Sequence, residues 1–104
     1  MANLFAELPT DVSQEHFNDL LKSEHVRVER IVSYGQSSPE QGWYDQDENE
    51  WVIVLEGSAT LAFEGGKSLE LDKGDYLNIP AHQKHKVLTT AAKGATIWLA
   101  VFYR

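Results

Sequence analysis

The stretch "EWVIVLEGSATLAFEGGKSLELDKGDYLNIP", residues 50–80, decides the fold. Its apolar and β-branched residues come in short runs, "EWVIVLEG" and then "SATLAFEGGKSLEL", each too short for a helix and each closed by glycine or a charged turn. Gly65-Gly66 reads as a two-residue hairpin, because a type I′ turn needs positive φ at both central positions. "LDKGDYLNIP" turns between Asp72 and Gly74 and stops at Pro80, which has no N–H to give to a strand ladder.

The same grammar continues outward. "HKVLTT" and "TIWLAVFYR" are two more strands, separated by "AAKGA". Ile97 to Tyr103 is apolar on both faces, which predicts a central strand or one in a subunit contact. Upstream, "GQSSPEQG", residues 35–42, is loop chemistry, and "VRVERIVSY" alternates with Val26, Val28, Val32 and Tyr34 on one face, interrupted by Arg30. In "TDVSQEHFNDLLKSE" the pattern changes. Thr10 or Ser13 can cap a helix, and Phe17, Leu20 and Leu21 follow at spacings of three and four, which predicts a helix from about 14 to 22 within a helical segment of about 10–22. Seven or eight short strands with regular turns then make a sandwich or barrel over about 26–104.

A chain of 104 residues is the size of a single domain with one core, 1–104. Sixteen acids against nine Lys and Arg, a net charge of −7, repel a phosphate backbone, so nucleic acid is excluded as a partner. The absence of cysteine rules out disulfides, thiolate zinc sites and thiol nucleophiles. The opening "MANLFAELPT" lacks a basic region followed by an apolar one, and no run approaches the roughly 18 apolar residues of a membrane span, so the expectation is a cytoplasmic protein with no membrane partner.

Ahead of residue 50 lies "WYDQDENE", rich in acids and amides. Asp45, Asp47, Asn49 and Glu56 fall at positions 1, 3, 5 and 12 of an EF-hand loop, but position 6 is Glu50 rather than glycine, and the flank "WVIVL" is strand rather than helix. The calcium reading fails. Two segments taken together give a better match: "EWVIVLEG", with an acid seven residues before a glycine, and "GDYLNIPAHQKH", with Gly74, Pro80 and His85 at spacings of six and five. Across about residues 40–90 these resemble the two motifs of the cupin family. The resemblance implies an antiparallel jelly-roll β-barrel, here all-β apart from the short N-terminal helix, and a family whose members include metal-dependent dioxygenases, isomerases, sugar epimerases, storage proteins and sensors. It also implies a homodimer.

In metal-binding cupins the first motif carries a His-x-His pair and then a glutamate, and the second motif a further histidine. By that alignment Glu50 is the glutamate and His85 the second-motif histidine. The histidine pair is absent, its place falling on Tyr44 and Gln46 or on Trp43 and Asp45, and the glycine expected two residues after Pro80 is His82. If strand alternation extends back from Glu50, then Glu48, Gln46 and Tyr44 share its inward face and Asp45 points away; a loop there would undo that parity. The degenerate metal set is therefore His85, Glu50, Gln46 and His82, for iron, manganese, nickel or zinc. The candidate catalytic groups are His85 as general base, Glu50 as its acid–base partner and Tyr44 as proton donor.

Each residue also has a purely structural reading. Glu50 can satisfy itself inside the barrel, His82 can face solvent from its turn, and His16 and His25 have no partner pattern and belong to the surface. Trp43, Trp51 and Trp98 suit packing, with Trp51 on the outer side of its sheet because its parity is opposite to that of Glu50. The functional expectation is a small-molecule-binding cupin with a degenerate metal site, acting as a metal-dependent enzyme on a small polar or sugar-like substrate. The alternative is a non-catalytic ligand-sensing module or a structural dimer.

Overall fold

The structure, a computed structural model, describes residues 2–39 and 41–104. Eight strands follow one another: β1 (His16–Lys22), β2 (Val26–Ser33), β3 (Asn49–Glu56), β4 (Ser58–Phe63), β5 (Ser68–Asp72), β6 (Tyr76–Ile79), β7 (His85–Thr90) and β8 (Thr96–Tyr103). All pair antiparallel. One sheet has the order β1-β2-β8-β3-β6 and the other β5-β4-β7. The core lies between the sheets, built on Val52, Val54, Leu61, Phe63, Leu71, Ile79, Trp98 and Phe102 among others. β8 sits between β2 and β3, a central position in its sheet.

The N-terminal helix is not formed. Residues 10–15 are turns and irregular chain, and His16–Lys22 is an edge strand paired with β2. The helix-like spacing has a local cause. A bulge between Asp19 and Leu21 leaves Leu20 out of the pairing, so the strand breaks its own alternation and places apolar residues at intervals of three and four. Phe17, Leu20 and Leu21 are all exposed, so no helical face is being buried, and pairing with β2 supplies backbone partners that an isolated short helix would keep only marginally.

The hairpin between β4 and β5 differs slightly from its expected form. Gly65 and Gly66 both have positive φ, at 107° and 98°, but the connection spans residues 64–67, with the Phe63 N–H donating to the Lys67 carbonyl at 2.8 Å. Gly57, between β3 and β4, is the glycine under most constraint. Its φ is 84°, and a Cβ there would stand 2.6 Å from Thr96 Oγ1 and 2.9 Å from the Ala95 carbonyl oxygen.

The two faces of the five-stranded sheet are unequal in an unexpected way. Register pairs Arg27 with Phe102, Glu29 with Ala100 and Ile31 with Trp98, so these β2 side chains face the interior. Val26, Val28 and Val32 share the other face with Leu99, Val101 and Tyr103 of β8 and with Trp51 and Ile53 of β3. The more apolar side of β2 is thus the outer one. Arg30, which interrupts it, donates to Asn18 Oδ1 and to the carbonyls of Leu4 and Ala6, tying the N-terminal segment to the sheet.

Candidate functional site

A cavity of about 220 Å³ opens between the sheets. This is below the roughly 300–1,000 Å³ usual for small-molecule sites, so its occupant is small. Most of the wall is apolar: Ile31, Val52, Leu61, Ile79, Val87, Trp98 and Phe102, with Phe17 and Tyr44 contributing from exposed positions. The indole of Trp98 is fixed by donating from Nε1 to Ser33 Oγ at 3.3 Å, and that hydroxyl donates to Glu15 Oε2 at 2.6 Å.

The polar part gathers on one side. Glu50 opens the inward face of β3, and His85, first residue of β7, lies across from it with Nε2 3.5 Å from Glu50 Oε1. Both side chains are largely buried, 13% and 6% exposed. The Gln46 amide donates to Glu50 Oε1 at 2.9 Å, and His85 Nδ1 contacts the Gln83 carbonyl at 2.9 Å. A carbonyl only accepts, so Nδ1 carries a proton and Nε2 is the atom turned to Glu50. Burial disfavours the imidazolium, but the hydrogen bond and charge of Glu50 together with the Gln83 carbonyl outweigh it, and the His85 pKa lies above its ordinary value.

Tyr44 and Gln46 reach this cavity by a route other than strand alternation. β3 begins only at Asn49; Tyr44 instead forms an isolated bridge with His85, its N–H donating to the His85 carbonyl at 2.8 Å and its carbonyl accepting in return at 3.1 Å. The Gln46 carbonyl accepts from the His82 N–H at 2.8 Å. These bonds hold the 44–46 segment against the entrance of β7, so Tyr44, Gln46, Glu50 and His85 line one cavity, with the Tyr44 and His85 rings 5.8 Å apart. Glu48 turns elsewhere, to Arg27.

His82 is not brought to that group. Its φ is 65°, the left-handed conformation that favours the glycine of the family motif, and its imidazole, 68% exposed, lies 2.9 Å from Asp45 Oδ1 outside the cavity. The metal donors that remain on the cavity wall near His85 are one imidazole, one carboxylate and one amide. Among the described residues no group of three His, Cys, Asp or Glu side chains could hold a metal ion. A transition-metal site normally has three or four such ligands, so this set does not fit a tightly held metal.

Other side chains also have settled places. Trp51 packs against Tyr76 with ring centroids 5.5 Å apart on the outer sheet face, Trp98 is in the core, and Lys86 lies over the exposed Trp43 ring. His16 contacts the Asp11 carbonyl, and His25 is exposed beside Glu24.

Two carboxylates on the cavity wall, Glu29 and Glu15, and the arginine behind them are not evident from motif reading. Arg27 stacks over Phe102 at 3.9 Å and bridges Glu29, at 2.5 Å, and Glu48, at 3.1 Å. Burial pushes the Glu29 carboxyl above its ordinary range; Arg27 opposes this, while Asp19 and Glu50 reinforce it. The available signal was the parity of "VRVERIVS": assigning its polar face inward finds Arg27 and Glu29 at once.

The comparisons agree with this architecture. Residues 30–102 match the Cupin domain family. A protein of Ralstonia eutropha JMP134, provisionally named a mannose-6-phosphate isomerase, is 41% identical over 99% of this chain and 96% of its own, with a TM-score of 0.94. A protein of Thermus thermophilus superposes with a TM-score of 0.81 at 17% identity, covering 99% of this chain and 95% of that one. A cupin superfamily protein of Desulfitobacterium hafniense DCB-2 gives 0.77 at 20% identity over 92% and 83% of the two chains. No match is found among the curated proteins. With both motifs, the two-sheet barrel and the family match in agreement, the chain belongs to the cupin family.

Proposed function

We propose that the barrel binds a small polar molecule and that Glu50 and His85 are the acid–base pair that receives its polar end. The observation that carries this reading is the placement of that pair, largely buried and 3.5 Å apart, on the wall of an otherwise apolar cavity. Such a site orients a ligand through a few polar groups set in an apolar lining. His85 Nε2 and Glu50 can exchange a proton with each other and with a ligand group beside them, and Tyr44 is the proton donor at the mouth. This supports proton transfer on a small hydroxylated or carbonyl-bearing substrate. The name of the Ralstonia protein brings sugar-like compounds into the screen described below.

The second reading is a loosely held divalent metal, iron, manganese, nickel or zinc. Glu50, His85 and the Gln46 amide oxygen would be its donors, and the metal would polarise a ligand oxygen. Elemental analysis of protein purified without chelator or affinity metal separates the two. The acid–base reading predicts no more metal in the wild type than in His85→Ala; near-stoichiometric metal lost in that variant overturns it. A thermal-shift screen with small sugars and other small polar molecules tests binding itself, because a ligand of the native state raises the melting temperature by mass action. A bound compound that shifts the wild type and not His85→Ala supports the site, and equal shifts in both exclude it. The apolar outer face of the five-stranded sheet is the proposed homodimer contact.

A further inference from the structure

We propose that the cavity selects a small organic cation, an ammonium group on an apolar body, and rejects phosphorylated ligands. This inference rests on the reading of the cavity as a ligand site and names the class of ligand. Three carboxylates, Glu15, Glu29 and Glu50, line the cavity, against a single imidazole, His85; among the described residues no Lys or Arg lines it. Arg27 pairs with the cavity residue Glu29, and its contacts are already made, shared between Glu29 and Glu48 and stacked on Phe102. Even with His85 protonated, the wall carries more carboxylates than cations.

Two consequences follow for a ligand. An anion entering a low-dielectric, acid-lined space meets like charge with no arginine fork or ammonium to receive it, whereas phosphate recognition relies on such groups. An ammonium group meets the opposite situation. Burial holds the Glu29 carboxyl above its ordinary range even with Arg27 beside it, and the charge of Glu50 adds to this, so a further cation entering the cavity beside these carboxylates is favoured. The rings of Tyr44 and Trp98 supply the aromatic faces on which organic cations settle. The apolar remainder of the wall suits a hydrocarbon body better than a fully hydroxylated one.

The test uses three probes of one shape and different charge: benzylammonium, benzyl alcohol and benzoate, titrated by calorimetry into the metal-free full chain at neutral pH and low salt, with mannose and mannose 6-phosphate beside them. Benzylammonium is expected to bind at least tenfold more tightly than benzyl alcohol, and benzoate and mannose 6-phosphate not to bind. Glu29→Gln and Glu50→Gln are each expected to weaken benzylammonium about tenfold, a larger loss than either causes for benzyl alcohol; using both guards against one variant failing to fold. Benzoate or mannose 6-phosphate binding as well as benzylammonium overturns the charge assignment and leaves the cavity a ligand site. Mannose binding where benzylammonium does not has the same meaning. Failure of every probe overturns the charge assignment and the ligand reading together.

Discussion

His85 stands between opposing influences, and their balance is measurable. Burial alone would keep it neutral, but Glu50 and the Gln83 carbonyl hold its pKa above the ordinary value. A histidine whose folded pKa is raised binds its proton more tightly in the native state. The stability it contributes is therefore fully present below the unfolded pKa, about 6.5, and is lost as pH rises through the folded value. Melting curves across pH 5 to 9 should show the wild type losing ground relative to His85→Gln as pH rises, and a difference independent of pH contradicts the pairing. Gly57 makes a simpler residue-scale claim. Gly57→Ala forces a left-handed alanine, at about 1–3 kcal/mol, against the backbone of Ala95 and Thr96, so denaturant unfolding should register a loss of at least about 2 kcal/mol. A loss under 0.5 kcal/mol, roughly the surface-substitution level, contradicts it. Glu50 and His85 were legible because two spaced motifs name them. Glu29 and Arg27 were not, because the valines of β2 make its outer face look like its core face, and no local rule says which side of an amphipathic strand meets the other sheet.

At the scale of elements, the central strands were readable and the edge strand was not. β3, β4 and β8 announce themselves by short apolar runs beside glycine-bearing turns, and both of their neighbours reinforce that choice. β1 has one strand neighbour and a bulge, and its apolar residues sit in solvent, so its sequence carries a helical spacing that the pairing with β2 overrides. The contrast yields a prediction from one chemical change made in two places. Phe102→Ala, on β8 and 6% exposed, should cost about 3–5 kcal/mol by denaturant unfolding. Phe17→Ala, on β1 and 59% exposed, should stay within about 0.5 kcal/mol. Equal losses would mean that β1 is packed rather than a free edge.

For the whole molecule, an apolar outer sheet face bearing Val28, Leu99, Val101, Trp51 and Ile53 is more than scattered surface hydrophobics. Sedimentation should give a dimer for the wild type and a monomer for Val101→Lys; a wild-type monomer across a wide concentration range rules that contact out. The interior poses the more consequential question, whether a barrel without the histidine pair of metal-binding cupins works through Glu50 and His85 alone. The direct measurement is an NMR titration of the His85 imidazole in chelator-treated protein, with Glu50→Gln beside it. The account predicts titration above the ordinary value of about 6.5 in the wild type, a lower value in the variant, and no displacement of the imidazole signals when zinc is added at the protein's own concentration. Titration at or below the ordinary value, an unchanged value in Glu50→Gln, or a stoichiometric shift on zinc addition would contradict it.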